Sequence, residues 1–187
     1  MSDERYQLST NDYLALDATA MADAVKTGEL TARMLLGAAQ ARCDAVNPHI
    51  NAVNMRHDTH ADAILRARHH AGSELLGALA GVPMLLKDLN TYLKGTVTTN
   101  GSRMLADAPP ATRNSTIVQR YEAAGMLIFG KTTSPEYGLT TTTESSLWGL
   151  TRNPWNLAHS AGGSSGGAAA AGGKTPPAGR IRHGRPG

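Results

Sequence analysis

The fold of this chain is decided by the stretch Gly81-Val82-Pro83-Met84-Leu85-Leu86-Lys87-Asp88, a short apolar run that ends on two charged residues. Runs of this length between turn residues are typical of strands buried within a sheet. A second such run, residues 126–130, follows a segment of helical periodicity that begins after Ser115 and stops at Gly125. The order strand, loop, helix, strand predicts a βαβ unit, and therefore an α/β fold whose mixed β-sheet is covered by helices.

The segments around this unit are predicted from periodicity, capping residues and helix breakers. Three helices precede it, and they run from Asp17 to Gly28, from Thr31 to Asn47-Pro48, and from Asp58 to His70. We also expect a short strand at Ala52-Val53 and a helix that begins at Ser134-Pro135-Glu136. The flanks are assigned as a frayed N-terminus over residues 1–13 and a disordered or aberrant tail over residues 172–187.

The net charge of +3 does not indicate a nucleic-acid surface, because it comes from the tail. The tail holds four of the 18 basic residues and no acidic one, which leaves 14 basic and 15 acidic residues in the body. Aromatic residues, which stack on bases, make up only 4% of the chain. No apolar run reaches the roughly 18 residues of a membrane span, and no signal-peptide pattern opens the chain. A single cysteine, Cys43, fits a reducing compartment, so we expect a cytoplasmic protein.

The candidate chemistry lies in the stretch Gly162-Gly163-Ser164-Ser165-Gly166-Gly167, which four alanines follow. Glycines on both sides let the backbone adopt conformations and make close approaches that a side chain would prevent. Alanine is the strongest helix former, so the stretch predicts a tight loop that turns into a helix and presents two serine hydroxyls. Serine is a weak nucleophile until a neighbouring base accepts its proton.

Two residue types could supply that base. His57 and His60 could share a helix face, but without a third ligand they make a poor zinc site, and we interpret them as a solvated face. His159 lies near the serines, with nothing in the local sequence to orient it. Lys87 closes an apolar strand, where desolvation would lower its pKa and let it act as a neutral base. The alternative for Lys87 is a strand-end lysine whose ammonium group reaches out to water.

Together these motifs resemble the amidase signature family, whose members hydrolyse amide C–N bonds. The resemblance covers residues 14–171, which we assign to the N-terminal part of an amidase domain. Besides the two stretches above, it is carried in order by Thr98-Thr99-Asn100-Gly101-Ser102, Gly130-Lys131-Thr132, Pro135-Glu136-Tyr137, and Gly149 with Arg152-Asn153-Pro154-Trp155-Asn156. Several separate motifs in the right order make the resemblance specific.

The resemblance implies a catalytic set of a lysine, a bridging serine held by a cis peptide bond, and a nucleophilic serine, with no cofactor and no metal. Lys87 matches the lysine and Ser164 the bridging serine, so neutral Lys87 would accept the proton of Ser164, which in turn deprotonates the nucleophile. Gly163 relieves crowding at the cis bond, and Ser165 is a candidate for supporting hydrogen bonds. Asp88 is expected to orient the loop behind the site, because adjacent strand residues point to opposite faces.

The nucleophile of the family has no match in this sequence. The family places it roughly two dozen residues beyond the bridging serine, in a glycine-rich loop whose backbone N–H groups form the oxyanion hole. No serine follows Ser165, so the resemblance implies a chain truncated after the serine stretch and inactive alone. Residues 179–183 can be encoded by GGT CGG ATA CGG CAC, and an alternative frame of that DNA reads Ser-Asp-Thr-Ala. We therefore expect a frameshift or a mis-assigned gene end.

Three other functions stay open from the sequence. An amidotransferase A-type subunit of the same family would act with partner subunits on charged tRNA, which the near-neutral body does not favour. A non-catalytic remnant would keep the fold without activity. A P-loop-like nucleotide binder is suggested by residues 167–175, which have five residues, rather than four, before Gly173-Lys174-Thr175.

The family resemblance also bears on partners and solubility. It implies a small-molecule amide as the substrate and allows a homodimer in intact relatives, with no nucleic acid and no membrane. A sheet represented only in part would expose apolar surface, so we expect poor solubility or partial folding of the chain in isolation.

Overall fold

The computed structural model describes residues 8–70 and 76–173. Within these residues the helices are α1 (Thr10–Ala15), α2 (Ala18–Thr27), α3 (Ala32–Ile50), α4 (Asp58–His70), α5 (Thr116–Ala123) and α6 (Gly166–Gly172). The strands are β1 (Val53–Arg56), β2 (Pro83–Lys87), β3 (Leu127–Thr132), β4 (Glu144–Ser145), β5 (Gly149–Leu150), β6 (Arg152–Asn153) and β7 (Asn156–Ser160). Short 3-10 helices lie at Arg103–Leu105 and Glu136–Gly138.

Three strands form the central sheet, in the order β1-β3-β2. β3 runs parallel to β2 and antiparallel to β1, so the sheet is mixed, as predicted. α5 connects β2 to β3, which confirms the predicted βαβ unit. Because the carboxyl ends of parallel strands meet at one edge, Lys87 at the end of β2 lies beside Thr132 at the end of β3.

Helices cover both faces of this sheet. On one face, Leu127 and Phe129 pack with Leu36 of α3 and with Ala61 of α4. On the other face, Ile128 packs with Val118 of α5. Burial of these apolar side chains away from water is the main contribution that stabilises the fold.

One extra residue interrupts the alternation of side chains along β3. Met84 pairs with Ile128 and the next residue of β2 pairs with Gly130, so Phe129 has no partner in β2. A bulge of this kind moves the residues beyond it to the opposite face of the sheet. Lys131 therefore lies on the face of Ile128, where its ammonium group contacts the loop that follows β2.

Most helix boundaries follow the capping residues seen in the sequence. The Asp17 carboxylate accepts a hydrogen bond of 2.8 Å from the first turn of α2, and Gly28 ends that helix with a φ of 77°. The Thr31 hydroxyl accepts one of 3.2 Å from the first turn of α3. These caps satisfy N–H groups that have no partner within the helix.

The predicted end of α3 is wrong, because Pro48 lies inside the helix. α3 continues past it and is closed by Asn51 in the left-handed conformation. Proline in a last turn removes only one helical hydrogen bond. The side chain of Asn47 secures this turn, since its amide oxygen accepts the N–H groups of Ala52 and Val53, each at 2.8 Å.

The helix predicted to begin at Ser134-Pro135-Glu136 is also wrong. Only the 3-10 helix Glu136–Gly138 forms there, and Tyr137 within it has a φ of 51°. The Ser134 hydroxyl does not cap a helix but donates to the carbonyl oxygen of Asp88 at 3.0 Å. The tertiary contact with the end of β2 thus outweighs the local capping pattern.

The N-terminal segment differs from the predicted frayed end. Residues 10–13 belong to α1, and the Ser9 hydroxyl accepts a hydrogen bond of 3.2 Å from the Asp12 N–H. Residues 1–7, and the predicted tail from residue 174 onward, lie outside the described residues. In the described part of the chain, no helix is long and apolar enough to cross a membrane.

Two small antiparallel pairs, β4–β5 and β6–β7, were not predicted. Their strands are two to five residues long, too short to show a pattern of alternation. The stretch Asn153-Pro154-Trp155-Asn156 forms the turn of the second pair, and Trp155 is exposed. β7 leads directly into the serine stretch, so this pair sets where that stretch begins.

Candidate active site

Lys87 is the last residue of β2 and stands at the carboxyl edge of the sheet. Three consecutive backbone carbonyls at this strand end each accept a hydrogen bond from a side-chain hydroxyl. The pairs are Leu86 with Thr132, Lys87 with Thr91, and Asp88 with Ser134. The backbone of Lys87 is therefore held independently of what its side chain contacts.

The serine loop, residues 162–167, brings two hydroxyls to the ammonium group of Lys87. Nζ of Lys87 lies 2.9 Å from Oγ of Ser164 and 3.1 Å from Oγ of Ser165. These residues are 77 and 78 positions apart in the chain, so only the tertiary fold joins them. Both distances are those of hydrogen bonds, which is the separation that proton transfer between side chains requires.

Partial burial lowers the pKa of the Lys87 ammonium group below its ordinary value. Desolvation disfavours the charged form of an amine, so the neutral form becomes more populated at physiological pH. A neutral amine has a lone pair that can accept a proton. The environment of Lys87 therefore shifts it towards the form that a general base needs.

Three glycines of the serine loop lie too close to their neighbours to carry a side chain. A Cβ at Gly163 would lie 2.3 Å from a backbone carbonyl oxygen, and a Cβ at Gly166 would lie 2.4 Å from Oγ1 of Thr143. A Cβ at Gly167 would lie 2.4 Å from Oγ1 of Thr133. The glycines let the loop lie directly on a surface of threonines, and this close approach accounts for the Gly-Gly-Ser-Ser-Gly-Gly pattern.

The backbone of the serine loop turns both hydroxyls towards Lys87. The peptide bond between Gly163 and Ser164 is cis, as the family resemblance implied. Ser165 is the N-cap residue of α6, but its hydroxyl makes no capping hydrogen bond. That hydroxyl faces Lys87 instead.

Asp88 is fully buried, and its carboxylate contacts the loop behind the site. One carboxylate oxygen accepts the Thr99 N–H at 2.9 Å, and the other accepts the Asn54 side-chain amide at 2.9 Å and the Thr99 hydroxyl. Nε1 of Trp148 donates to the same Thr99 hydroxyl at 3.0 Å. Asp88 thus joins the end of β2 to three separate segments of the chain.

A second lysine, Lys131, lies behind the site and was not identified from the sequence as a site residue. Its side chain is fully buried and donates to the Val97 carbonyl and to the Thr98 hydroxyl. Burial lowers the pKa of Lys131 to about 8, and the nearby charge of Asp88 partly opposes that shift. In the sequence only the Gly130-Lys131-Thr132 motif points to this lysine. The burial of Lys131 could not be predicted, because it depends on the bulge in β3.

The interpretation of His57 and His60 as a solvated face is wrong. The Nε2 atoms of both residues are buried without a hydrogen-bond partner. Burial and the nearby charge of Lys131 lower the pKa of His57 to about 4. Nε2 of His60 lies 3.5 Å from a carboxylate oxygen of Glu122. Among the described residues, no group of three or more His, Cys, Asp or Glu could hold a metal ion.

The P-loop interpretation is also wrong for the part of residues 167–175 that the structure describes. Gly167 and the four alanines after it are helical residues of α6, whereas a P-loop needs a loop at that position, and Lys174 and Thr175 lie outside the described residues. The other histidine candidate, His159, is exposed on β7. Of the candidate bases named from the sequence, Lys87 is the one that forms hydrogen bonds with the serine hydroxyls.

A family model named Amidase matches residues 34–174, which include Lys87 and the whole serine loop. The chain belongs to the amidase family. Its helices and mixed sheet are accordingly those of an amidase domain, which confirms the family and fold class inferred from the sequence.

Relatives of this amidase-family chain are considerably longer. It is 45% identical over 149 residues to the 6-aminohexanoate-cyclic-dimer hydrolase of Paenarthrobacter ureafaciens, covering 79% of this chain and 29% of that protein. It is 44% identical over 147 residues to the A-type subunit of glutamyl-tRNA(Gln) amidotransferase from Deinococcus deserti, covering 78% and 29%. A solved structure of 6-aminohexanoate cyclic dimer hydrolase matches with a TM-score of 0.76 at 43% identity, covering 84% and 32%. The chain therefore spans about three tenths of the length of these relatives.

Proposed function

We propose that this chain contributes the lysine and the bridging serine of an amide-hydrolysing site. The observation that carries the proposal is the 2.9 Å contact between Nζ of Lys87 and Oγ of Ser164. Membership in the amidase family supports hydrolysis of a C–N bond as the chemistry. The lowered pKa of Lys87 supports its assignment as the base.

In the proposed reaction, neutral Lys87 accepts the proton of the Ser164 hydroxyl while Ser164 accepts the proton of an attacking serine. The oxygen of that serine bonds to the amide carbon, and the C–N bond breaks as the nitrogen receives the proton back through Ser164. Water then releases the acyl group along the same proton path. The sequence contains no serine after Ser165. The attacking serine is therefore assigned to the part of the relatives' length that this chain does not span.

The supporting roles are assigned from the contacts around Lys87. Ser165 offers a second hydroxyl to Nζ at 3.1 Å and orients the amine. Gly163 allows the loop to lie against the backbone beside it, where a Cβ would clash. Asp88 holds the loop behind the site through Thr99. These residues position the proton path and do not themselves exchange protons.

A chimera tests the proposed function. In it, residues 8–173 replace the matching segment of the Paenarthrobacter ureafaciens hydrolase, and hydrolysis of the 6-aminohexanoate cyclic dimer is measured. We expect Lys87→Ala and Ser164→Ala each to lower kcat by about 100-fold or more, since each interrupts the proton path. The unmodified 187-residue chain is assayed beside the chimera.

Matched controls identify a loss of catalysis that is not a loss of folding. Lys94→Ala and Ser146→Ala remove the same side chains from exposed positions, and both should leave kcat within about twofold of the chimera. Full activity in the Lys87→Ala or Ser164→Ala chimera would refute the assignment. Hydrolysis by the unmodified chain would instead refute the assignment of the nucleophile to a segment outside it.

A function as an amidotransferase component is the second candidate, favoured by the 44% identity to the A-type subunit from Deinococcus deserti. Such a component would use the same lysine and serine but need partner proteins. A chimera built on the Deinococcus protein distinguishes the two candidates. Activity that depends on added partner proteins, with none on the cyclic dimer, would favour the amidotransferase.

We further infer a small-molecule amide as the substrate, a homodimer for the chimera as for intact relatives, and a cytoplasmic location. The thiol of Cys43 is free and is the only one in the sequence, which fits a reducing compartment. Cell fractionation tests the location, and sedimentation of the chimera tests the dimer. Recovery in a secreted fraction would contradict the cytoplasmic location, and a monomer would contradict the homodimer.

A further inference from the structure

We propose, building on the proposed function, that Thr143 is a positioning residue whose hydroxyl sets the conformation of the serine loop in which Ser164 meets Lys87. Thr143 is buried, with only 1% of its surface exposed. Its hydroxyl donates to the carbonyl oxygen of Gly162 at 2.7 Å and accepts the N–H of Gly166 at 3.0 Å.

These two hydrogen bonds lie on either side of the three residues that form the candidate site, residues 163–165. A single hydroxyl therefore joins the start and the end of the segment that carries both serines. Because one hydroxyl holds both ends, the backbone of residues 163–165 forms a tight loop. The hydroxyls of Ser164 and Ser165 point from this loop to Nζ of Lys87.

The close packing of the loop reinforces this arrangement. A Cβ at Gly166 would lie 2.4 Å from Oγ1 of Thr143, and a Cβ at Gly163 would lie 2.3 Å from the carbonyl oxygen of Thr142. The loop backbone thus rests directly on residues 142–143.

Thr143 is itself anchored to the body of the protein through buried backbone and hydroxyl contacts. Its carbonyl oxygen accepts the N–H of Thr151 at 2.9 Å. The Thr151 hydroxyl donates to the carbonyl oxygen of Asn51, which caps α3, at 2.8 Å, and lies 2.6 Å from the Thr133 hydroxyl. Through this series of threonines, the position of the serine loop is tied to the end of α3 and the end of β3.

Only a hydroxyl can make both contacts, because it donates and accepts at the same atom. Valine has the same shape but would leave the Gly162 carbonyl and the Gly166 N–H unpaired in a buried place. The loop would then lift towards water. Lys87 would stay in place, since its backbone is held by other hydroxyls. The result is a separation of the serines from the lysine within a folded protein.

The test uses the chimera described above, taken as the wild type, with the variants Thr143→Val and Thr143→Ser and with Thr140→Val as the matched control. The Thr140 hydroxyl is exposed and donates to the neighbouring Thr142 carbonyl. Hydrogen exchange at the Gly166 N–H and the NMR titration of the Lys87 side chain are measured. Neither measurement depends on hydrolysis, so the inference can fail while the proposed function stands, and the reverse.

In Thr143→Val we expect exchange at Gly166 to be at least about tenfold faster, since its hydrogen-bond acceptor is lost. We expect the pKa of Lys87 to move up towards its ordinary value, because burial lowers it and a lifted loop admits water. The amides that pair β2 with β3 should keep their protection, which a general loss of structure would not allow. Thr143→Ser and Thr140→Val should behave as the wild type.

Two outcomes would overturn the inference. One is a Thr143→Val protein whose Gly166 exchange and Lys87 titration match the wild type. The other is a Thr143→Ser protein that changes both, because the hydroxyl would then not be the operative group. The second outcome remains measurable even if the valine variant does not fold.

Discussion

Three glycines of the serine loop lie where a Cβ atom would clash with a neighbouring segment. Gly163, Gly166 and Gly167 each face an atom that a Cβ would approach within 2.4 Å, and the facing atoms belong to threonines. The flexibility of glycine is secondary at these three positions, because none of them has the positive φ that favours glycine. Close approach of two backbones is what selects glycine in this loop.

Gly167→Ala should destabilise the protein by about 2 kcal/mol, because its Cβ would overlap Oγ1 of Thr133. Gly37→Ala is the matched control: it lies on the exposed side of α3 with no atom within 4 Å of a new Cβ. That change should stabilise the helix by up to about 1 kcal/mol. Urea unfolding of both variants measures the difference, and equal stabilities would contradict the packing described for the loop.

Elements are positioned here by contacts that compete with local sequence signals. Ser134-Pro135-Glu136 has the signature of a helix start, yet Ser134 donates to the carbonyl of Asp88 and no helix continues. Asn47-Pro48 has the signature of a helix end, yet α3 continues and the Asn47 side chain secures its last turn. In both places side-chain hydrogen bonds, each worth about 0.5–1.5 kcal/mol, compete with the local helix propensity.

α4 is attached to the sheet through the partly buried histidine that precedes it, and this attachment predicts a dependence on pH. The backbone N–H of His57 donates to the carbonyl of Phe129 in β3 at 2.8 Å, and its ring is held neutral with a pKa of about 4. Between about pH 6.5 and pH 4, the unfolded chain binds a proton at His57 that the folded chain does not. Stability should therefore fall as the pH falls through this range.

The variant His57→Gln isolates this effect, with exposed His159→Gln as its control. We expect the wild type to lose about 1–2 kcal/mol more than His57→Gln between pH 6.5 and pH 4, allowing for partial solvent exposure. Denaturant unfolding at several pH values measures the slopes. Parallel slopes for the wild type and His57→Gln would show that His57 titrates normally in the folded state.

At the scale of the whole molecule, an apolar cavity and two open strand edges lie at the central sheet. A cavity of about 350 Å³ opens between the helices α1, α2, α3 and α6 and the strands, with Met21, Val46, Met84 and Phe129 among its lining residues. Within the described residues, β1 and β2 each pair with β3 alone and so have one open edge. Open edges and apolar cavities favour association with other apolar surfaces.

We expect the isolated chain to bind an environment-sensitive apolar dye and to unfold broadly at a low midpoint. The physical reason is the incomplete cover of the cavity and of the strand edges. The chimera with the longer hydrolase serves as the control, since the rest of that protein should cover these surfaces and abolish dye binding. A cooperative transition of the isolated chain at a high midpoint, without dye binding, would contradict this expectation.

The sequence by itself determined the βαβ unit and most helix boundaries, and its motifs indicated the amidase family and, through that resemblance, Lys87 and the serine loop as site residues. These features were accessible because periodicity, caps and glycine-rich motifs are local patterns of residues. The threonines at 133, 143 and 151, the buried Lys131 and the partly buried His57 were not accessible. A single threonine belongs to no recognisable sequence motif, and the burial of a lysine or histidine depends on which residues pack over it. Only the tertiary structure decided these contacts, because each joins residues that are distant in sequence.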